Sequence, residues 1–151
     1  MQIFRTMKIL IMGLPGAGKT TLAKELSKEI NAIHLNADEM RNKVWTDLTF
    51  KYTDRLIMAQ RMGALSDMLV NQGYNVIADF VCPTEKTRQA FGKAFIIWVN
   101  RIKKSRFDDT NHLFEKPSFF DICISNELTL EQEVNIIKEK IWHILLELKT
   151  E

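Results

Sequence analysis

The chain is poor in the residues that build special-purpose scaffolds. Its 151 residues include two cysteines, Cys82 and Cys123, far apart and in no Cys-x-x-Cys pair. That excludes a disulfide framework and a paired-cysteine zinc site, and it fits a reducing compartment. Prolines number three, at 15, 83 and 117, each at an expected element junction. No linker, internal repeat or low-complexity tract occurs. No apolar run reaches the ~18 residues of a membrane span. Lys and Arg total 21 against 19 Asp and Glu, a net charge of +2. So small an excess gives no argument for nucleic acid or a membrane surface as partner. His34, His112 and His143 are scattered, with no metal-ligand spacing. The start, Met1 to Thr6, is too short and polar for a signal peptide. Met7 directly precedes the first apolar run, so residues 1–6 read as an upstream extension, and the domain is expected in the cytoplasm.

What is present is globular. Hydrophobic residues make up 46% and charged residues 26%, and the length suits one domain over 1–151. Strands are expected over Lys8–Met12, Ala32–Leu35, Asn75–Phe80, Ala94–Val99 and Phe120–Ile124. Helices are expected over Lys19–Ile30, 53–72 with Gly73 closing it, and Thr84–Lys93. A last helix begins at Thr129, with Gln132 completing a capping box and a stripe of Val134, Ile137, Ile141, Ile144, Leu145 and Leu148. Alternating strands and helices argue for an α/β fold, a parallel sheet covered on both faces. Ligands then bind at the carboxyl ends of the strands.

Gly13-Leu14-Pro15-Gly16-Ala17-Gly18-Lys19-Thr20 fits Gly-x-x-x-x-Gly-Lys-[Ser/Thr] at every fixed position. The glycines let backbone N–H groups converge on phosphate oxygens. The helix that follows offers free N–H groups and its positive end. Lys19 can reach the β- and γ-phosphates, and the Thr20 hydroxyl can ligate Mg²⁺. Thr21 either touches the α-phosphate or is only a first-turn residue. The motif follows a strand and opens a helix, so ATP with Mg²⁺ is the expected cofactor.

A GTPase is disfavoured. Asn42-Lys43-Val44-Trp45 lacks the Asp of a guanine motif, and Asp79-Phe80-Val81-Cys82 lacks the Gly of the other. A small-molecule kinase remains. Asp38 and Arg41 lie three apart after the second strand. Asp38 can take an acceptor proton, hold a metal-bound water, or cap a helix. Arg41 can grip an anionic substrate or be a solvated charge.

These segments resemble the adenylylsulfate kinase family. Gly-Leu-Pro-Gly-Ala-Gly-Lys-Thr-Thr, Leu-Asn-Ala-Asp-Glu-Met-Arg, Leu48-Thr49-Phe50 with Asp54-Arg55, and Phe80-Val81-Cys82-Pro83 occur in the family's order. The likeness runs from about Met7 to Arg88, and more faintly to Val99. It implies a P-loop NTPase three-layer αβα sandwich with five parallel strands in the order 2-3-1-4-5. It implies phosphoryl transfer from MgATP to the 3′-hydroxyl of adenylylsulfate, a small-molecule nucleotide acceptor. Asp38 maps onto a catalytic or metal-associated aspartate. Arg41 and Arg55 map onto arginines for the substrate's anion, and Phe50 onto an aromatic that stacks on adenine; the alternatives are a solvated helix charge for Arg55 and core packing for Phe50. Residues 80–83 map onto a loop that lines the substrate pocket. A homodimer is compatible with the sequence.

Departures concentrate on the acceptor side. Asn36 and Ala37 stand where the family has Asp and Gly, Met58 where it has Asn, and Cys82 where it has Ser. The family's basic lid is missing from Asn100 to Pro117. Arg101, Lys103, Lys104 and Arg106 either rebuild it, facing the phosphates with Arg106 on the ATP, or form a solvated basic helix face. Asp108-Asp109-Thr110-Asn111 either caps a turn or serves adenine or metal. Asp79 is an addition. It reads as a Mg²⁺-orienting carboxylate at a strand end, or as a buried partner of Arg41 or Lys19. Other readings are a kinase for another hydroxyl, in a modified nucleotide, nucleic-acid end or sugar, and an ATP-binding module without catalysis.

Overall fold

The first apolar run, Lys8–Met12, forms β1 at the centre of a parallel sheet of order β2-β3-β1-β4-β5. The computed structural model describes residues 6–125 and 127–150. The expected extension, residues 1–6, lies outside them except for Thr6, whose hydroxyl donates to Val70 O at 3.2 Å. After β1 come α1 (Lys19–Ile30), β2 (Ala32–Asn36), α2 (Ala37–Lys43), α3 (Tyr52–Asn71) and β3 (Asn75–Asp79). Then follow α4 (Glu85–Phe91), β4 (Phe95–Val99), α5 (Asp108–Leu113), β5 (Ile122–Ile124) and α6 (Leu130–Thr150).

Side chains alternate across a strand, so β1 feeds two cores. Ile9 and Ile11 pack with Leu22 and Leu26 of α1 and Ile137, Ile141 and Leu145 of α6. Leu10 and Met12 pack on the other face with Met58 and Met62 of α3 and Phe91 of α4. These are the three layers the resemblance implied. Gly63 is where α3 meets α4. A Cβ there would run into the Phe91 carbonyl oxygen, so only glycine allows this approach of backbones.

Local chemistry set most boundaries and moved some. The Thr129–Gln132 capping box forms, with Thr129 N donating to Gln132 Oε1 at 2.9 Å and Gln132 N to Thr129 Oγ1 at 3.2 Å. The expected helix at Thr84 starts one residue later because Thr84 is its N-cap, bonded reciprocally with Thr87. It ends before Lys93 because Gly92 turns to φ 94°. The fifth strand does not reach back to Phe120. That ring lies 5.5 Å from the Trp98 ring, centroid to centroid. Asp121 holds the entry, its carboxylate accepting from Ile96 N at 2.7 Å. Two short helices, α2 and α5, were not expected as elements. No helix among the described residues is long and apolar enough to cross a membrane.

In register, Ile11 and Asn36 both partner Asp79, and Val99 partners Ile124. The carboxyl ends of the strands therefore form one edge, where the loops that follow β1, β2, β3 and β4 gather.

Candidate active site

That edge opens into a cleft of about 1300 Å³. The phosphate loop forms one side. Gly18, in the left-handed region at φ 96°, is the N-cap of α1. Pro15, Gly16, Gly18, Lys19, Thr20 and Thr21 line the cleft. Leu14 and Ala17 instead turn inward and are buried, and Gly13 backs onto the Val99 carbonyl. The Ala17 N–H is used inside the loop, donating to Leu14 O at 3.2 Å. Lys19 is nearly buried, and its Nζ donates to Leu14 O at 3.0 Å. Burial pulls the Lys19 ammonium below its ordinary value, while the charges of Asp79 and Asp38 act the other way.

Asp79 ends β3 behind Lys19 and is 1% exposed. Sequence reasoning offered Arg41 or Lys19 as its partner. The structure corrects this: Asp79 Oδ2 accepts from His34 Nε2 at 3.1 Å and from Asn36 Nδ2 at 3.0 Å. Burial pushes the carboxyl up, but the hydrogen bonds from His34 and Asn36, with the Thr20 hydroxyl nearby, outweigh it and hold the group below the usual range. Asp79 Oδ1 is buried with no hydrogen-bond partner among the described residues. His34 was read as one of three scattered histidines. A signal for it was present: His34 and Asn36 are two apart on a strand, so they share a face.

The opposite side of the cleft starts from α2. Asn36 caps this helix, its Oδ1 accepting from Glu39 N at 2.9 Å, so the capping role considered for Asp38 belongs to Asn36. Asp38 is well exposed, 3.6 Å from Arg41 Nη1. Arg41 is mostly buried and its Nε has no partner among the described residues. Phe50 is 57% exposed, with the Arg41 guanidinium 4.3 Å and the Arg55 guanidinium 5.6 Å from its ring centre. Arg55 is no solvated helix charge. It is buried, with Nε donating to Phe50 O at 2.8 Å and Nη2 to Thr110 Oγ1 at 2.9 Å. Burial lowers both guanidinium groups from their ordinary value; nearby Asp38 and, for Arg55, Asp109 act in the opposite sense. Both remain cations at any working pH.

Phe80, Val81, Cys82 and Pro83 form the floor between the two sides. Cys82 sits at φ 46°, and burial pushes its thiol up to about 12. Arg88 braces this loop and was missed from the sequence. Its Nε donates to Cys82 O at 3.1 Å, and its Nη2 to Pro83 O at 3.2 Å and Glu115 O at 2.6 Å.

The 100–117 segment divides. Arg101 pairs with buried Glu133 of α6 and lies against Gly18. Lys103 does not line the cleft, whereas Lys104 and Arg106 do. The Arg106 guanidinium lies 4.9 Å from the Phe107 ring centre. Asn111 closes a turn, accepting from Ser105 N at 2.8 Å and donating to Ser105 O at 2.9 Å. Asp109 and Thr110 face the cleft.

Among the described residues no three His, Cys, Asp or Glu side chains gather as a ready-made metal cage. The donors do suit a hard cation that arrives with phosphate oxygens. The Thr20 hydroxyl and the orphaned Asp79 Oδ1 are oxygen donors of the required kind. Asp38, the third expected metal ligand, lines the same cleft and lies 3.6 Å from Arg41 Nη1.

The family model of adenylylsulphate kinase matches residues 5–117. The chain belongs to the adenylylsulphate kinase family. The quoted motifs fade by Val99, yet the family match runs through the whole lid-like segment. Adenylyl-sulfate kinase 3 of Arabidopsis thaliana is 36% identical over 87 residues, 54% of this chain and 42% of that protein. The probable adenylyl-sulfate kinase of Halalkalibacterium halodurans is 28% identical over an alignment covering 85% of this chain and 77% of that protein. The match thus spans less than half of the Arabidopsis relative. The Mycobacterium tuberculosis APS kinase CysC, solved in complex with AMPPNP and APS, superposes with a TM-score of 0.81. At 16% identity over 91% of this chain and 98% of that one, this likeness shows a shared fold. Strand order and layers agree with what this adenylylsulphate kinase fold requires.

Proposed function

We propose that the cleft transfers the γ-phosphoryl group of MgATP to a hydroxyl of a small nucleotide-type acceptor, with the 3′-hydroxyl of adenylylsulfate the first candidate. The arrangement that carries this reading is a buried lysine at a phosphate loop facing, across one cleft, an exposed phenylalanine between two arginines. ATP lies over residues 13–21, with the 100–117 segment as the lid of a single kinase domain. Lys19 draws charge from the β- and γ-phosphates. Thr20 and Asp79 would hold Mg²⁺, which when bound neutralises charge on the phosphates. Arg41 and Arg55 take the acceptor's anion, Phe50 stacks on its base, and the 80–83 loop closes the pocket. Asp38 accepts the hydroxyl proton as the acceptor oxygen bonds to phosphorus and the bond to ADP breaks. Arg106 meets the charge that develops on the transferred group.

The missing basic lid favours one other reading, the same chemistry on a different hydroxyl. ADP release with MgATP, with and without adenylylsulfate, followed by product mass, separates the two. Adenylylsulfate-dependent release with a phosphorylated product supports the first reading. ATP binding without stimulation removes it and points to a screen of nucleotide, sugar and polynucleotide hydroxyls. Asp38→Asn should lower kcat on the order of 10²-fold and leave ATP affinity in place; equal loss of both, or no loss, would sink the base assignment.

A further inference from the structure

We infer that His34 and Asn36 are positioning residues for Asp79. They occupy one of its carboxylate oxygens so that the other, Oδ1, is offered to the metal ion that accompanies the nucleotide. The charge of this device belongs to the paired ends of β2 and β3, not to position 79 alone. The inference rests on reading the cleft as a MgATP site.

The geometry is asymmetric. Asp79 Oδ2 takes both donors, His34 Nε2 at 3.1 Å and Asn36 Nδ2 at 3.0 Å. Oδ1 takes none among the described residues, although it is buried. A buried carboxylate oxygen without a partner calls for a cation or a donor. The amide that sets this arrangement cannot turn over freely. Asn36 Oδ1 accepts from Glu39 N at 2.9 Å as the cap of α2. Its Nδ2 is therefore directed at Asp79 Oδ2 and, at 3.3 Å, at the Thr20 hydroxyl. One side chain thus joins the phosphate-loop helix, the β3 carboxylate and the helix that carries Asp38 and Arg41. His34 adds the second donor from the same face of β2.

Asn36 and Asp79 are partners in register, and their side chains meet head to head. Exchanging them keeps the pair. A carboxylate at 36 would cap α2 with one oxygen, since Asp caps as well as Asn. It would present the other oxygen beside Thr20, with the amide at 79 donating to it.

The test is ATP affinity of the full chain by calorimetry, with Mg²⁺ and with EDTA. The wild type should bind ATP more tightly with Mg²⁺. Asp79→Asn should lose that tightening, while affinity in EDTA stays within about twofold. The double variant Asn36→Asp with Asp79→Asn should regain it. His34→Ala should weaken the Mg²⁺-dependent part about tenfold, the low end for residues that orient a metal ligand. His34→Gln, which keeps a donor, should recover most of it. A purely structural role would move both conditions together. Full tightening in Asp79→Asn, or a folded double variant without it, overturns the inference. So does a pair of His34 variants that behave alike. If Asp79→Asn fails to fold, the double variant and the His34 pair decide the matter. A wild type that binds ATP identically in EDTA, or not at all, overturns the MgATP reading itself, and the inference with it.

Discussion

The two sides of the cleft are built by different kinds of contact. On the phosphate side, Lys19 is held by Leu14, five residues away, and Ala17 by the same carbonyl. Loop, cap and lysine lie within one short string. On the acceptor side, Arg55 is held by Thr110, 55 residues away, and Arg88 by Glu115, 27 residues away. The first side carries its geometry in local sequence; the second assembles it from distant parts of the chain. Asn36 bonds to both sides, but a change at Lys19 or at Arg55 should leave the opposite side largely intact, and several variants test that separation.

The largest effect is expected at Lys19. Lys19→Ala should lower kcat by about 10²–10³-fold, as loss of a charge-stabilising donor does. Acceptor affinity, measured by direct binding, should change less than about twofold. Arg55→Lys comes next. It keeps the charge but loses the fork to Phe50 O and Thr110, so kcat/KM for the acceptor should fall about 10²-fold with ATP affinity unchanged. If ATP affinity falls equally, the two sides are not separate. Gly63→Ala forces α3 from α4 and should lower unfolding stability by about 2 kcal/mol in a denaturant titration. Thr110→Val removes a single hydroxyl, with an expected loss near 1 kcal/mol, about fivefold in acceptor KM. The smallest effect concerns Cys82. Its thiol, pushed up to about 12, stays protonated near neutral pH and gains reactivity only as pH rises toward that value. Iodoacetamide at pH 7.5 should leave Cys82 unlabelled in the native protein and label it after denaturation, as read by peptide mass.

The same division decided what was legible in the sequence. The strand and helix that flank the glycine loop, the capping box at Thr129 and the strand order implied by the resemblance all agree with the structure. Each depends on periodicity or on a motif a few residues long. Asp79 was singled out because a carboxylate ending an apolar strand is unusual, but its partners were misassigned. Spacing along β2 puts His34 and Asn36 on one face, but that this face meets Asp79 follows from the pairing of β2 with β3, which the spacing does not reveal. Arg55 and Arg88 sat on helices where an exposed charge is the ordinary expectation. Their burial follows from Thr110 and Glu115, in a segment with no local signature. Arg101 was expected at the phosphates; its ion pair with Glu133 of α6 was invisible for the same reason.

Arg88 meets the pocket floor only at main-chain oxygens, those of Cys82, Pro83 and Glu115. A carbonyl is the same whichever side chain hangs beside it. The brace itself therefore does not read the side chains at 82, 83 and 115, although the left-handed turn and burial constrain Cys82 and the Glu115 carboxylate accepts from Glu85 N. Selection can rewrite the wall that an acceptor touches while the frame behind it is inherited unchanged. For an engineer, Arg88 is the residue to keep.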